Sequence, residues 1–388
     1  MKRARLPGTV WALGVVSLLT DVSSELVHAL LPLLLAGSLG ASMLVIGLIE
    51  GAAEAMAAIV KLFAGALSDR IGRRKPLVVA GYGLSALTKL VFPLAASASL
   101  VLGARLLDRL GKGIRGAPRD ALIADVTPPE QRGAAYGLRQ SLDTVGAVLG
   151  PLAAMALMLW LLDARTALWF AAIPGLLAVL VLLVYVREPE RHIAENKPAL
   201  GLRHWRTLDR RVWGVIGIAA LLHLARFGEG FLVLHMRDSG FGDALAPLAL
   251  VLMSLAYTLT AFPVGWCADR MSRRTLLAIG VAMLVAADLV CALLPGRIGA
   301  ALGITLWGVH LGFTQGLLAA MLADVAPKEL RGTAFGIFHL ASGVALLIAS
   351  LGAGALWQWQ GASSMFLVAG LIAALAGVAL RHAPAAKN

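Results

Sequence analysis

The feature that most constrains this chain is a succession of apolar runs, each about as long as a bilayer is thick. Gly, Pro and charged residues separate the runs, and a helix of about 20 apolar residues crosses the hydrocarbon core of a membrane. Hydrophobic residues make up 59% of the chain and charged residues 14%, which excludes a globular domain in water. We therefore predict an all-α integral membrane protein with twelve transmembrane helices. The predicted spans cover residues 9–36, 42–67, 76–96, 98–125, 135–161, 166–186, 212–236, 244–268, 275–295, 298–324, 333–356 and 363–381.

The amino-terminal run imitates a secretory signal, because basic residues precede it. It is far longer than the apolar core of a signal peptide, about 7–15 residues, and Asp21 and Glu25 interrupt it, so we interpret it as the first span. Basic residues concentrate in cytoplasmic loops. With the amino terminus inside, only Arg165, Arg237 and Arg297 among the loop cations fall on the outer side. We expect both termini in the cytoplasm, and the net charge of +12 then reflects topology rather than nucleic-acid binding.

Two motifs occur twice in the chain. The segment 65–74, GALSDRIGRR, returns as GWCADRMSRR at 265–274. The segment 124–138, ADVTPPEQRGAAYGL, returns as ADVAPKELRGTAFGI from Ala323 onward. Because both recur at a spacing of about 200 residues, the chain consists of two halves in parallel relation. We predict an amino-terminal six-helix bundle at 1–186, a cytoplasmic linker at 187–211 and a carboxy-terminal six-helix bundle at 212–388.

The first motif and its copy resemble the loop signature of the major facilitator superfamily of secondary transporters, G-x-L-x-D-R-x-G-R-[RK]-[RK]. The resemblance covers nearly the whole chain and implies two bundles in pseudo-two-fold relation that rock about a central cavity. It does not indicate a substrate, because the same loop serves sugars, drugs, peptides and anions. Asp69, followed by cations, is expected to pair in only one of the two states and to latch the outward-facing one; the alternative is a simple topological anchor. The predicted latch residues are Gly65, Asp69, Arg70, Gly72, Arg73, Asp269 and Arg270.

Span four carries a stripe of cations on one helical face. An intramembrane charge costs roughly 2.5–3.5 kcal/mol, so we expect the stripe to face protein or a water-filled cavity, with most cations paired to acids of the same half. Span four could instead end near Leu110, but the corresponding segment of the repeat, 298–324, is almost wholly apolar, which argues against this alternative. The stripe consists of Arg105, Arg109, Lys112, Arg115 and Arg119.

Charges at mid-depth are the candidates for substrate binding and proton coupling. Asp21, Glu25 and His28 share one helical face, and two carboxylates one turn apart in a low-dielectric cavity retain a proton more readily than isolated ones. Residues 109–113, RLGKG, resemble the span-four signature R-x-x-Q-G, which implies a coupling role for the arginine; Lys112 replaces the usual Gln. The predicted coupling residues are Asp21, Glu25, Glu54, Arg109, Lys112 and Asp143.

Span five contains a third resemblance. Gly146, Gly150 and Pro151 match the start of the superfamily's antiporter motif, G-x-x-x-G-P-x-x-G-G, although Ala153 and Ala154 replace its final glycines. Glycines four residues apart let helices approach closely, and proline bends a helix. The partial match favours export over import, with a plain packing groove as the alternative.

Together these features predict proton-coupled antiport of a small organic solute across the inner membrane, by a monomer that needs no cofactor or resident metal. Two transport alternatives stay open: proton-coupled uptake of an anionic solute held by the span-four cations, and divalent-metal export through Asp21, Glu25 and His28 facing His223. A sensor without transport activity is a further alternative. An enzyme is not expected, because the single fingerprint, G-x-G-x-x-G at 111–116, lies inside a span, where it cannot bind a dinucleotide.

Overall fold

The computed structural model describes residues 6–71, 73–188, 208–268, 270–327 and 330–380, with residues 64–71 described by their backbone alone. The regular secondary structure of these residues is helical. The α-helices are α1 (Gly8–Leu33), α2 (Met43–Ile71), α3 (Lys75–Leu94), α4 (Ala98–Val126), α5 (Arg132–Leu161), α6 (Ala164–Trp169), α7 (Ala172–Tyr185), α8 (Arg210–Leu224), α9 (Gly230–Met236), α10 (Gly242–Leu245), α11 (Leu248–Cys267), α12 (Arg273–Leu293), α13 (Gly296–Val325), α14 (Arg331–Gln360) and α15 (Ala362–Ala379).

Among the described residues, ten helical segments are long and apolar enough to cross a membrane. The two predicted spans outside this set are the fourth and the seventh. Helix α4 has 29 residues, ample length for a bilayer, but its cations and acids lower its hydropathy. The seventh span was predicted as one helix over 212–236. This prediction is wrong, because the helix is interrupted between α8 and α9.

The break in the seventh span is caused by contacts with residues that are far away in the sequence. The backbone N–H of Gly228 donates to Ser350 Oγ at 3.0 Å instead of to its own helix. A Cβ atom on Gly228 would lie 2.5 Å from Glu50 Cβ, so the close approach of α2 requires glycine at this position. Apolar residues continue on both sides of the break, which is why hydropathy did not reveal it.

Two other predicted spans also contain interruptions. The first ends as an α-helix at Leu33 and continues as a π-helical turn, Leu34–Ser38. The sixth is divided into α6 and α7 by a turn at 170–171. Asp163 caps α6 by accepting from the N–H groups of Arg165 and Thr166. Asp163 lies in the loop before α6. The hydrogen bond that it accepts from the Thr166 hydroxyl holds the pKa of Asp163 below its usual value.

The described residues fall into two compact units. The first lies within Met1–Leu34 and Met56–Ala199, and the second within Leu35–Ala55 and Leu200–Asn388. In the first unit α1 packs on α5 and α7, and α3 packs on α4. In the second, α12 packs on α13 and α15, while α8 packs on α14.

The amino-terminal half of α2 belongs to the second unit through glycine contacts with α14. Gly47 lies against the backbone of Ser350, and Gly51 against Leu347. From the other side, Gly354 lies against Leu44. The predicted domain boundaries at 186 and 212 stay a prediction, because packing alone does not say with which bundle this half of α2 moves.

Candidate functional site

The predicted acids of α1 lie directly against the predicted glycines of α5. A Cβ atom on Gly146 would lie 2.8 Å from Asp21 Cβ, and one on Gly150 would lie 2.7 Å from Glu25 Cβ. Backbone carbonyls of α1 approach the same glycines, with Val22 O 2.9 Å from the Cβ position of Gly150. Any larger side chain at 146 or 150 would therefore push the two acids away from α5.

Each of these acids has charged neighbours within the first unit. Glu25 Oε2 lies 3.5 Å from His28 Nδ1, one turn along α1. Lys112 of α4 interacts electrostatically with both Asp21 and Glu25, and Arg109 with Glu25. Asp143 of α5 interacts with Asp21 in the same way. The structure thus brings five of the six predicted coupling residues together; the sixth, Glu54, is half-buried on α2.

Asp143 is also held by its own helix. Its carboxylate forms an ion pair with Arg139, one turn away, and Arg139 Nε lies 3.8 Å from Asp120 Oδ1 of α4. Asp120 in turn accepts from Arg119 Nε at 3.0 Å. A change of charge at Asp143 would therefore alter a network that ties α5 to the last turns of α4.

The amino-terminal part of the α4 stripe packs against α3 through a buried ion-pair cluster. Lys89 Nζ donates to Asp108 Oδ1 at 2.7 Å, and Arg105 Nη1 lies 3.9 Å from Asp108 Oδ2. All three residues are at most 2% exposed. One carboxylate thus contacts two cations in a low-dielectric setting, where removal of either kind of partner would be costly.

Arg115 is held chiefly by neutral groups. Its Nη1 donates to Ser85 Oγ at 2.6 Å, and its guanidinium lies over the Tyr82 ring, 4.5 Å from the centroid. Next to it, Gly81 and Gly111 let α3 and α4 touch: a Cβ on Gly111 would lie 2.6 Å from Gly81 O. The stripe faces protein, as its charge predicted.

The misleading fingerprint at 111–116 has a packing role instead. A Cβ on Gly113 would lie 2.5 Å from Val60 Cβ of α2, so Gly111 and Gly113 face two different neighbouring helices. Gly116 has no such close neighbour. Sequence reasoning rejected a dinucleotide site here but missed that these glycines place Arg109 and Lys112, which flank them, at a three-helix contact.

The second unit contains a buried polar network. Arg226 Nε donates to His310 Nε2 at 2.9 Å, and Arg226 also donates to Thr314 Oγ1. His310 Nδ1 lies 2.7 Å from Gly280 O. Because His310 Nε2 accepts from arginine, the ring proton is on Nδ1 and the imidazole is neutral. These contacts of Arg226 with α13 were not visible in the sequence.

His223, a candidate ligand in the metal-export alternative, contacts its own helix. His223 Nδ1 lies 2.7 Å from Ala219 O of its own helix. Among the described residues no group of three or more His, Cys, Asp or Glu side chains is arranged to hold a metal ion. No metal ligand set is therefore assigned.

Asp288 differs from the other buried acids. It is 0% exposed on α12, and neither carboxylate oxygen has a hydrogen-bond partner in the described part of the chain. Its Cβ lies 3.3 Å from the position of a Cβ on Gly370 of α15. A buried polar group without a partner costs free energy, so Asp288 lowers the stability of the second unit in this state.

Comparison with known proteins identifies the family. The family model of the Major Facilitator Superfamily matches residues 13–242 and 221–388. The chain belongs to the major facilitator superfamily. It is therefore a multi-pass membrane transporter with the all-α, twelve-helix fold of that superfamily, and not an enzyme.

Three known proteins are similar to the chain in sequence or in fold. The chain is 30% identical over 385 residues to an uncharacterized MFS-type transporter of Methanocaldococcus jannaschii, covering 97% of this chain and 94% of that protein. It is 28% identical over 343 residues to multidrug resistance protein MdtL of Escherichia coli O157:H7, covering 83% and 81%. The crystal structure of a mutant nucleoside transporter, NupG, has the same fold at 13% identity, with a TM-score of 0.81 and coverage of 96% and 99%.

The structure describes only part of the superfamily's loop signature. Gly65, Asp69 and Arg70 are described by their backbone alone, and Gly72 and Asp269 lie outside the described residues. Arg73 is exposed, and the Arg270 guanidinium lies 3.8 Å from the centroid of the Trp266 ring. The latch stays a prediction.

Next to the signature, each unit joins its two repeated motifs by an ion pair. Arg74 Nη1 lies 2.9 Å from Asp125 Oδ2 in the first unit. In the second, Arg273 forms an ion pair with Asp324. Both aspartates belong to the repeated ADV segment, so the two repeats in the sequence were the available signal for these pairs.

The start of α3 has a further anchor that sequence reasoning missed. Glu188 accepts from the backbone N–H groups of Arg74 at 2.5 Å and Lys75 at 3.1 Å. A carboxylate at a helix amino terminus accepts hydrogen bonds from the free N–H groups of the helix and interacts favourably with the helix dipole. The residues after α7 thereby fix the loop end of α3.

Proposed function

We propose that this transporter exports a small organic solute in exchange for protons. The observation that carries the proposal is the contact between Asp21 and Glu25 of α1 and the antiporter-like glycines of α5. The similarity to MdtL, which is named a multidrug resistance protein, supports the direction of transport.

The arrangement suits alternating occupancy by protons and solute. Asp21 and Glu25 lie one turn apart, and Lys112 interacts electrostatically with both. In this mechanism protons neutralise the acids in one state, and the solute takes their place in the other. His28, 3.5 Å from Glu25, is placed to receive a proton from that carboxyl. The proton gradient is the energy source, and no cofactor is needed.

The membrane, the oligomeric state and the orientation are part of the same proposal. The transporter lies in the inner membrane as a monomer, with both termini in the cytoplasm. Support for this orientation comes from the loop cations, which concentrate on one side of the membrane.

Proton movement in inverted vesicles tests the proposal. An imposed pH gradient is followed while cationic, neutral and anionic solutes are added one at a time. We expect one class of solute to collapse the gradient, and Asp21→Asn and Glu25→Gln each to abolish the collapse. Asp238→Asn serves as the control, because Asp238 is an exposed acid that contacts Arg237 away from the site.

Proton-coupled uptake of an anion is the second candidate, favoured by the neutral partners of Arg115 on the cationic face of α4. It predicts that no solute collapses the gradient, while a labelled anion is accumulated and Arg109→Glu abolishes its binding. That result would overturn the export proposal.

A further inference from the structure

The second unit has an apolar groove between α12 and α15. Its volume is about 520 Å³. Alanine, valine and leucine side chains of α12 line it, together with residues of α15 that include Gly377 and Val378. The helices approach closely at the base, since a Cβ on Gly377 would lie 3.2 Å from Val281 Cγ1. Apart from Arg274 at one end, every lining residue is apolar.

Arg274 differs from its neighbour in the sequence. Arg273 forms an ion pair with Asp324 of α13. Arg274 lines the groove instead and has no ion-pair partner among the residues that the structure describes. The groove thus combines a long apolar channel with one cation at its mouth.

The groove is long enough to hold an acyl chain over the full depth of one leaflet. Its lining on α12 runs from Arg274 to Leu289, which at about 1.5 Å per residue is about 22 Å. Half of the hydrocarbon core is about 15 Å thick. A groove that starts at the headgroup level therefore extends past the depth of a single leaflet.

We propose that this groove binds an anionic phospholipid of the cytoplasmic leaflet, with an acyl chain between α12 and α15 and the phosphate at Arg274. The orientation proposed above places Arg274 in that leaflet, where anionic lipids are enriched and each basic residue contributes attraction. Lipid binding at this surface is separate from the acids of α1 and from the direction of transport.

The chain's own carboxy terminus is the competing occupant, because α15 ends at the groove mouth. Residues 381–388 are RHAPAAKN, with three basic side chains and no Asp or Glu. Such a segment repels Arg274 and offers no long apolar side chain to the channel. Charge complementarity therefore favours the phospholipid.

Lipid binding to the full-length protein tests the proposal. Native mass spectrometry in detergent would compare phosphatidylglycerol with phosphatidylethanolamine, a zwitterionic lipid of the same acyl chains. We expect retention of phosphatidylglycerol, weakened about five- to tenfold by Arg274→Gln. Ala282→Phe, which fills the channel from its exposed side, should weaken binding of both lipids; Ala278→Phe is the substitute if that variant does not fold.

Arg331→Gln is the matched control, because Arg331 is a basic residue of the same unit that donates to the backbone carbonyl of Ala323 away from the groove. It should retain phosphatidylglycerol as the wild type does. Equal retention of both lipids, or binding unchanged by both Arg274→Gln and Ala282→Phe, would overturn the proposal. Lipid that binds only after removal of residues 381–388 would assign the groove to the chain's own tail.

Discussion

At the scale of single residues, burial of an acid has opposite consequences in the two units. Asp108 in the first unit and Asp288 in the second are almost equally buried, at 2% and 0% exposure. Asp108 forms ion pairs with Lys89 and Arg105, whereas the described surroundings of Asp288 offer no hydrogen bond to its carboxyl. Asp108 therefore stabilises the first unit, whereas Asp288 lowers the stability of the second.

This contrast gives a prediction in which the sign is the test. Asp108→Ala should lower the free energy of unfolding by about 3–5 kcal/mol, because it leaves two buried cations without their carboxylate. Asp288→Ala should raise it by about 1 kcal/mol, because it removes a buried polar group that makes no bond. Thermal unfolding in detergent measures both. A loss of stability in Asp288→Ala as large as that in Asp108→Ala would mean that Asp288 has a bonding partner after all.

At the scale of helices, glycine decides where this protein brings charges together. Gly146 and Gly150 admit α1 to α5, and Gly111 and Gly113 admit two neighbours to α4. Without a Cβ, backbones approach to a distance at which carboxylates and cations of different helices interact. The charged residues provide the chemistry, and the glycines set the distances between them.

Substitutions along α5 test this role. Gly150→Ala should lower stability by about 1–3 kcal/mol, because its Cβ would overlap Glu25 and the backbone of α1, and it should slow exchange of solute for protons. Gly137→Ala, on the same helix with open space around it, should be neutral or stabilising by about 0.5–1 kcal/mol. Thermal unfolding and vesicle transport are the measurements. Equal effects of the two substitutions would show that close packing at Gly150 is unimportant.

The sequence allowed prediction of the helices better than of their contacts. Helix α4 was expected at 98–125 and runs over Ala98–Val126, because Ser97 caps its start and Thr127, which precedes Pro128, has an extended backbone at its end. The pairing of Lys89 with Asp108 depends on the rotation of α3 against α4, which periodicity leaves open. The break before Gly230 was hidden because it lies inside one apolar run, and its cause, the close approach of Glu50, is far away in the sequence.

At the scale of the whole molecule, a duplicated framework carries different chemistry in each half. Both units retain the ion pair between the signature loop and the ADV segment. The cations of α4 have apolar or hydroxyl counterparts in α13, such as Leu311 and Thr314. Duplication preserved the structural ion pair, while the intramembrane charge is concentrated in the first half.

The two copies of that ion pair should differ in strength. The Arg74 and Asp125 side chains are 5% and 20% exposed, whereas those of Arg273 and Asp324 are 30% and 43% exposed. Asp125→Asn should therefore cost more than Asp324→Asn, whose effect we expect at about 0–1 kcal/mol and reduced by salt. Thermal unfolding at low and high salt concentration measures the difference. An equal loss in both variants would contradict the dependence on burial.

The two spans that lack a sufficiently apolar helix also bear on how the chain enters the bilayer during synthesis. The pieces of the seventh span, α8 and α9, have 15 and 7 residues, too few for either to be released into lipid by itself. Helix α4 is long enough but strongly charged, and the side chain that neutralises Asp108 is Lys89 of the preceding helix. We therefore expect α3 and α4 to leave the translocon as a pair, and α8 and α9 to wait for helices made after them.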